Sequence, residues 1–247
     1  MKNFFEGMVL GIGYFTRIRI PYEVQQMHSE TYRFMALALP VSGLLLGVLT
    51  LSGYQLLAPY ANAYFVAFLF SAFYLTGYGF LHLEAVMDIV DATYGGHSGK
   101  DRYAILKDPH IGSIGALYTF TLVLVKLVAL TLLLHEKAYV LIVVMLMLSR
   151  LSALWVIQWG TFHENSAFIA KMQNALKPKD VGIVTLLTLA LAIYGGVWWL
   201  VLFGIGMAFW LYRWLQKEFG FVNGDGLGFI IEVVETAGLV LLVFTVT

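Results

Sequence analysis

The sequence predicts an all-α protein: a polytopic membrane helix bundle of about seven transmembrane helices, preceded by an N-terminal interfacial or re-entrant helix. Three observations predict it. The 247 residues are 60% hydrophobic and 12% charged, with a mean hydropathy of +0.81, more apolar surface than one soluble core buries. Several unbroken apolar runs reach the roughly 20 residues that a helix needs to cross a hydrocarbon core. Such runs lack the alternation of barrel strands, and a helix satisfies its own backbone in lipid. Finally, nearly all ionisable residues fall between these runs and at one side of them.

Taken in order, the opening MKNFFEGMVLGIGYFTRIRIP begins basic but holds Glu6 and has no small-x-small cleavage pattern before Pro21. It reads as retained, and it is too short to span. Spans follow at roughly 34 to 57, 61 to 81, 113 to 134, 138 to 159, 181 to 195, 197 to 215 and 227 to 246. The fifth and sixth come from one apolar run broken at Tyr194-Gly195-Gly196, where adjacent glycines permit a turn. A single long tilted helix is the competing reading of that run.

The basic residues favour the split. With seven spans, Lys2, Arg17, Arg19, Arg33, Lys100, Arg102, Lys107, Lys171, Lys177, Lys179, Arg213 and Lys217 share one side, against Lys137 on the other. The positive-inside rule makes the first side cytoplasmic and the C-terminus external. No repeat or soluble domain emerges, so residues 1–247 form one integral membrane domain of the cytoplasmic (inner) membrane.

Composition also excludes whole classes of chemistry. Formal net charge is zero and no basic patch stands out, which argues against nucleic acid. There is no cysteine, hence no disulfide or thiolate ligand. No GxSxG elbow, Walker loop, dinucleotide fingerprint or HExxH helix is present.

In LHLEAVMDIVDATYGG, Glu84, Asp88 and Asp91 stand at i, i+4 and i+7, along one face of a helix. Like charges so close repel unless a cation neutralises them, and an all-oxygen set suits Mg²⁺, which recruits phosphate oxygens as well. A solvated acidic helix end fits the same spacing, and His82 reads as an interfacial hydrogen-bonding residue. Downstream, Lys100, Arg102 and Lys107 lie beside Asp101 and Asp108, ahead of Gly112 and Gly115. These cations suit phosphate, although positive-inside flanking also accounts for them. A third cluster, GFVNGDGLGFIIEVVE, sets Asn223 and Asp225 in a glycine-rich turn and Glu232 and Glu235 inside the last span. Carboxylates there face a wet cavity or a cation, or pack the bundle protonated. Lys126 and Arg150 lie mid-span and need partners, from bundle carboxylates or from an anionic substrate.

These blocks together resemble the cobalamin synthase family, also called adenosylcobinamide-GDP ribazoletransferase or cobalamin 5'-phosphate synthase. Phe15-Thr16-Arg17-Ile18 before Pro21 looks like the family's Phe-Leu-Thr-Arg opening, and LPVSGLLLG like its first-span Pro and Gly pattern. His82 to Asp91 resembles its His-Leu-Asp-Gly-Leu-Ala-Asp-Thr-x-Asp-Gly signature, and LKDPHIGSIG its Met-Lys-Asp-Ser-x-x-Gly-x-x-Gly block. Asn223-Gly224-Asp225 with Gly228, Glu232 and Glu235 resembles the closing Thr-Gly-Asp-x-x-Gly-x-x-x-Glu-x-x-Glu. Departures are Glu84-Ala85 for Asp-Gly, Ala92 after Asp91 for Gly, and Asn223 for Thr. Residues 162 to 170 lack the family's Arg-Pro-Glu-Gly-Leu-Gly character, so no function is carried onto that loop.

The resemblance implies a transferase that joins adenosylcobinamide-GDP to α-ribazole or its 5'-phosphate, with release of GMP. It implies Mg²⁺ on Glu84, Asp88 and Asp91, with Asp88 or Asp91 as base. Substrate contacts would come from Arg17, Arg102, Lys107, Asp108, Asn223, Asp225, Glu232 and Glu235, at a cytoplasmic mouth. Two other readings compete. A CDP-alcohol phosphotransferase would carry a longer Asp-rich motif than the chain shows, and a secondary transporter would use Lys126, Arg150, Glu232 and Glu235 as a path, without support from an inverted repeat.

Overall fold

The computed structural model describes residues 2–24, 26–97, 99, 101–106, 108, 110 and 112–246. Among them the apolar periodicity resolves into helices, with no strand. The helices are α1 (Lys2–Phe15), α2 (Ser29–Leu57), α3 (Ala63–Gly77), α4 (Leu81–His97), α5 (Arg102–Ile105), α6 (Ser113–His135), α7 (Tyr139–Trp159), α8 (Ala167–Ala175), α9 (Pro178–Tyr194), α10 (Trp199–Phe219) and α11 (Gly224–Val246). Helix α7 is the axis of the bundle: Leu146, Leu148, Leu151 and Leu154 have no exposed surface, and α2, α9, α10 and α11 pack around it. Helix α11 also packs on α4 and α6, and α3 on α6. An element hydrophobic all round belongs at such a centre.

A helix occupies every interval in which a span is expected. Four of them, α2, α6, α7 and α11, are long and apolar enough to cross a membrane, and α3 with α4 makes a fifth if the bent pair is one broken span. The count of seven therefore also rests on α3, α9 and α10. Helix α3 has 15 residues and α9 has 17, or ~22 and ~25 Å of rise, short of a ~30 Å core. The run around Tyr194 is two helices: α9 ends at Tyr194, Gly195 caps it, and Gly196 turns the chain at φ 72°. As expected, the N-terminal helix is short, 14 residues, and it lies along α2.

The segment after residue 82, read from sequence as lying outside the membrane, is instead part of the bundle. Leu83, Val86, Ile89 and Ala92 of α4 are buried, because α4 is packed by both α11 and α6. Helices α3 and α4 meet at 75°. The bend is made by Gly79 and Phe80, at φ 71° and 60°; the left-handed conformation costs a residue such as Phe80 on the order of 1 kcal/mol. Arg17 fastens this break. Its backbone N–H donates to the Gly77 carbonyl at 2.7 Å, and its side chain lies over Gly79, where a Cβ would come within 2.9 Å of Arg17 Cδ.

Candidate active site

Helix α4 carries the acidic face. Glu84 is exposed, and Asp88 and Asp91 are half-buried. Asp91 faces the start of α6, where the backbone N–H of Gly112 donates to Oδ2 at 2.9 Å and that of Gly115 to Oδ1 at 2.8 Å. These are two of the donors that a helix N-terminus leaves unsatisfied, and a carboxylate there also meets the positive end of the helix dipole. Hydrogen bonds to a charged group contribute about 1.5–3 kcal/mol each. Both glycines are needed: a Cβ at Gly112 or at Gly115 would come within 2.5 Å of Asp91 Oδ2. The missing side chains at Gly112 and Gly115 thus make room for Asp91.

Among the described residues no three His, Asp or Glu side chains converge as a metal cage, so Glu84, Asp88 and Asp91 are not drawn together into one. The donor set nonetheless fits Mg²⁺, which is commonly held by one or two carboxylates with water and substrate phosphates completing its shell.

The basic segment divides. Arg102 donates from NH2 to Glu218 Oε1 at 2.5 Å, joining α5 to the end of α10, and its buried Nε has no hydrogen-bond partner among the described residues. Lys107 lies outside the described residues. Asp108 is exposed; the His110 backbone N–H reaches its Oδ1 at 3.0 Å and the His110 ring at 2.6 Å. These two bonds hold the Asp108 carboxyl below its usual range.

At the start of α11, Asn223 acts as the cap. Its Oδ1 accepts the Gly226 N–H at 2.9 Å, and its Nδ2 donates to Asp225 Oδ2 at 2.7 Å. Asn and Thr are both N-cap residues, so Asn223 keeps the chemistry of the Thr it replaces in the family pattern. Asp225 lines a cavity with Tyr14, His82 and Gly228.

Deeper along α11, Glu232 and Glu235 leave this mouth and enter a sealed ion network. Lys126, Arg150, Glu232 and Glu235 are all 0% exposed. Lys126 Nζ bonds Glu232 Oε2 and Glu235 Oε1, the latter at 2.8 Å. Arg150 NH1 reaches Glu235 Oε2 at 2.7 Å, as does Ser149 Oγ. Tyr74 donates to Glu235 Oε1 at 2.7 Å and accepts from Arg150 NH2 at 2.9 Å. The partners that Lys126 and Arg150 needed are therefore bundle carboxylates. Two cations meet two carboxylates, and removing one member of such a buried set costs about 3–5 kcal/mol. The network ties α11 to α3, α6 and α7.

The sequence matches the Cobalamin-5-phosphate synthase family over residues 7–243. The chain belongs to this family. Its relatives include the adenosylcobinamide-GDP ribazoletransferase of Geobacillus thermodenitrificans (strain NG80-2), 28% identical over 96% of this chain and 94% of that one. That of Clostridium botulinum (strain Alaska E43 / Type E3) is 26% identical over 97% of each. That of Pseudomonas entomophila (strain L48) is 30% identical over 81% of this chain and 84% of its own. No solved structure matches the chain.

As a member of the Cobalamin-5-phosphate synthase family, the chain is an enzyme of cobalamin biosynthesis. Sequence reading missed Tyr74, Tyr78 and Ser149 around the ions; the signals available were two tyrosines one turn apart in a span and a serine beside Arg150. It also read His82 as interfacial, whereas His82 is buried in the wall of the cavity.

Proposed function

We propose that this synthase-family enzyme joins adenosylcobinamide-GDP to α-ribazole or α-ribazole 5'-phosphate and releases GMP, on the cytoplasmic side of the inner membrane. The observation that carries the reading is that α4, the helix bearing the three carboxylates, packs on the polar start of α11, with His82 and Ala85 against Gly228, in a chain whose relatives bear the ribazoletransferase name over nearly their whole length. In the step, a ribose hydroxyl oxygen forms a P–O bond to the cobinamide-side phosphorus. The bond from that phosphorus to the bridging oxygen of the diphosphate breaks, GMP leaves carrying the bridging oxygen, and the hydroxyl proton passes to a carboxylate.

Glu84 and Asp88 are the residues that would hold Mg²⁺. When bound, the ion offsets charge on the diphosphate, the main electrostatic demand of phosphoryl transfer. Asp88 accepts the hydroxyl proton. Asp91, whose oxygens accept two backbone N–H groups, holds the start of α6 in place. Arg17, Arg102 and Lys107 supply positive charge for the phosphates, Asp108 lies in the same loop, and Asn223 fixes Asp225 for the acceptor. Glu232 and Glu235 act at a distance by locking α11.

The test is reconstitution of the purified protein in lipid with both substrates and Mg²⁺, following GMP and cobamide by chromatography. Stoichiometric GMP and cobamide are expected. A folded protein that yields neither would overturn the assignment.

A further inference from the structure

A cavity of about 160 Å³ opens where α1, α2, α4, α7, α8 and α11 meet. Its walls are mainly apolar, with Leu39, Ile157, Ile169 and Met172 on the sides and Phe168 as an aromatic face. Its charged group is Asp225, and its other polar side chains are Tyr14 and His82. An engineered apolar cavity of about 150 Å³ takes up a benzene, so the space suits a flat ring system whose substituents leave by the open side.

We infer that this cavity holds the aromatic base of the nucleoside acceptor, a flat nitrogen heterocycle, with Asp225 at its rim receiving a hydroxyl of the attached sugar. The inference rests on the transferase reading above and adds to it the place of the acceptor. Placement is the main argument. Ala85, in the cavity wall, stands one turn before Asp88 on α4, and residues three apart are neighbours on a helix surface, so a base seated here carries its sugar toward Asp88. Asp225 is set for that contact: Asn223 takes its Oδ2, and among the described residues the other oxygen has no protein partner. An acyl chain would have no use for a carboxylate at the rim. The apolar groove between α4, α6 and α11, lined by Val90, Leu122 and Val233, is the better place for one. A metal ion is equally ill-suited, since one carboxylate in an apolar wall supplies too few oxygens.

Two variants probe the cavity from opposite sides. Ala153→Leu fills it from α7, and Met172→Ala enlarges it from α8. A methylene gained or lost in an apolar pocket changes discrimination by roughly 10- to 200-fold. With a benzimidazole riboside as acceptor, Ala153→Leu should raise the acceptor KM at least tenfold while leaving the KM for the GDP-bearing substrate unchanged. Met172→Ala should shift kcat/KM toward bases with larger ring substituents. Because a filled core can fail to fold, the second variant and thermal unfolding of both serve as controls. Binding of free benzimidazole to the protein in nanodiscs, read by saturation-transfer NMR, separates the two claims. Ring binding that Ala153→Leu abolishes, without any turnover, overturns the transferase reading and supports the cavity. Turnover with the acceptor KM and base preference unmoved in both variants overturns the cavity and leaves the transferase standing. No ring binding and no turnover overturns both.

Discussion

Asp91 bridges two elements that lie far apart in sequence, its carboxylate taking the Gly112 N–H at 2.9 Å and the Gly115 N–H at 2.8 Å. The bond pair sets the direction in which the Asp108 loop enters α6. Asp91→Ala should lower stability by about 3 kcal/mol, the scale of two hydrogen bonds to a charged group, and Gly115→Ala should also destabilise, since a Cβ there would meet the Met87 carbonyl as well as Asp91. Denaturant or thermal unfolding in detergent measures both.

Asp88 bears the chemistry in our assignment and so separates from Asp91. Asp88→Asn should reduce kcat by about 10²-fold or more, the scale of removing one transition-state contact, with the unfolding midpoint nearly unchanged. Raising Mg²⁺ should not rescue it. Retained turnover would remove Asp88 from the site.

The sealed network predicts strong coupling. Glu235→Gln leaves Lys126 and Arg150 against a single carboxylate and should cost about 3–5 kcal/mol. The pair Lys126→Met with Glu232→Leu removes one charge of each sign and should cost less than the sum of its single changes. A double-mutant cycle reads the difference, and additivity would show the ion pair carries no coupling.

A pH effect is expected from the pair of Arg33 and Asp180. Arg33 forks onto Asp180 at 2.6 Å and 2.7 Å, and this bonding holds the Asp180 carboxyl below its usual value. A depressed carboxyl contributes stability above its unfolded pKa and loses it as pH falls through the folded one. Asp180→Asn should therefore be less stable than the parent at pH 7, with the gap closing below about pH 4. A gap that does not change with pH would exclude the charge as its source.

Sidedness can be read cleanly because the chain has no cysteine. Single changes Gln26→Cys and Lys179→Cys should react with an impermeant maleimide only from the cytoplasmic side. Ala61→Cys and Lys137→Cys should react only from the other. An inverted pattern would reverse the topology.

The helices were legible from the sequence because apolar runs and glycine pairs report on the chain locally. The intervals around residues 34 to 57 and 227 to 246 matched α2 and α11 to within a few residues, and Tyr194-Gly195-Gly196 read as a turn is one. The carboxylate face of α4 was legible from spacing alone. What Asp91 binds was not, since its partners are backbone groups more than twenty positions away, and backbone donors leave no mark in residue identity. The role of α4 also differs from the reading: its three acidic residues lower its average hydropathy, while Leu83, Val86 and Ile89 are buried by the two helices, α6 and α11, that pack on it. Lys126 and Arg150 announced a need for counter-charges, but which carboxylates met it depended on how α6, α7 and α11 assemble.

The matched ions in the bundle interior have an electrical consequence. A charge displaced through the full membrane potential exchanges about 2.3 kcal/mol per 100 mV, which is how voltage sensors work. Lys126 and Arg150 balance Glu232 and Glu235, so a small shift of the whole group does almost no work against the field. An interior this neutral lets the bundle keep one shape in energised and de-energised cells alike.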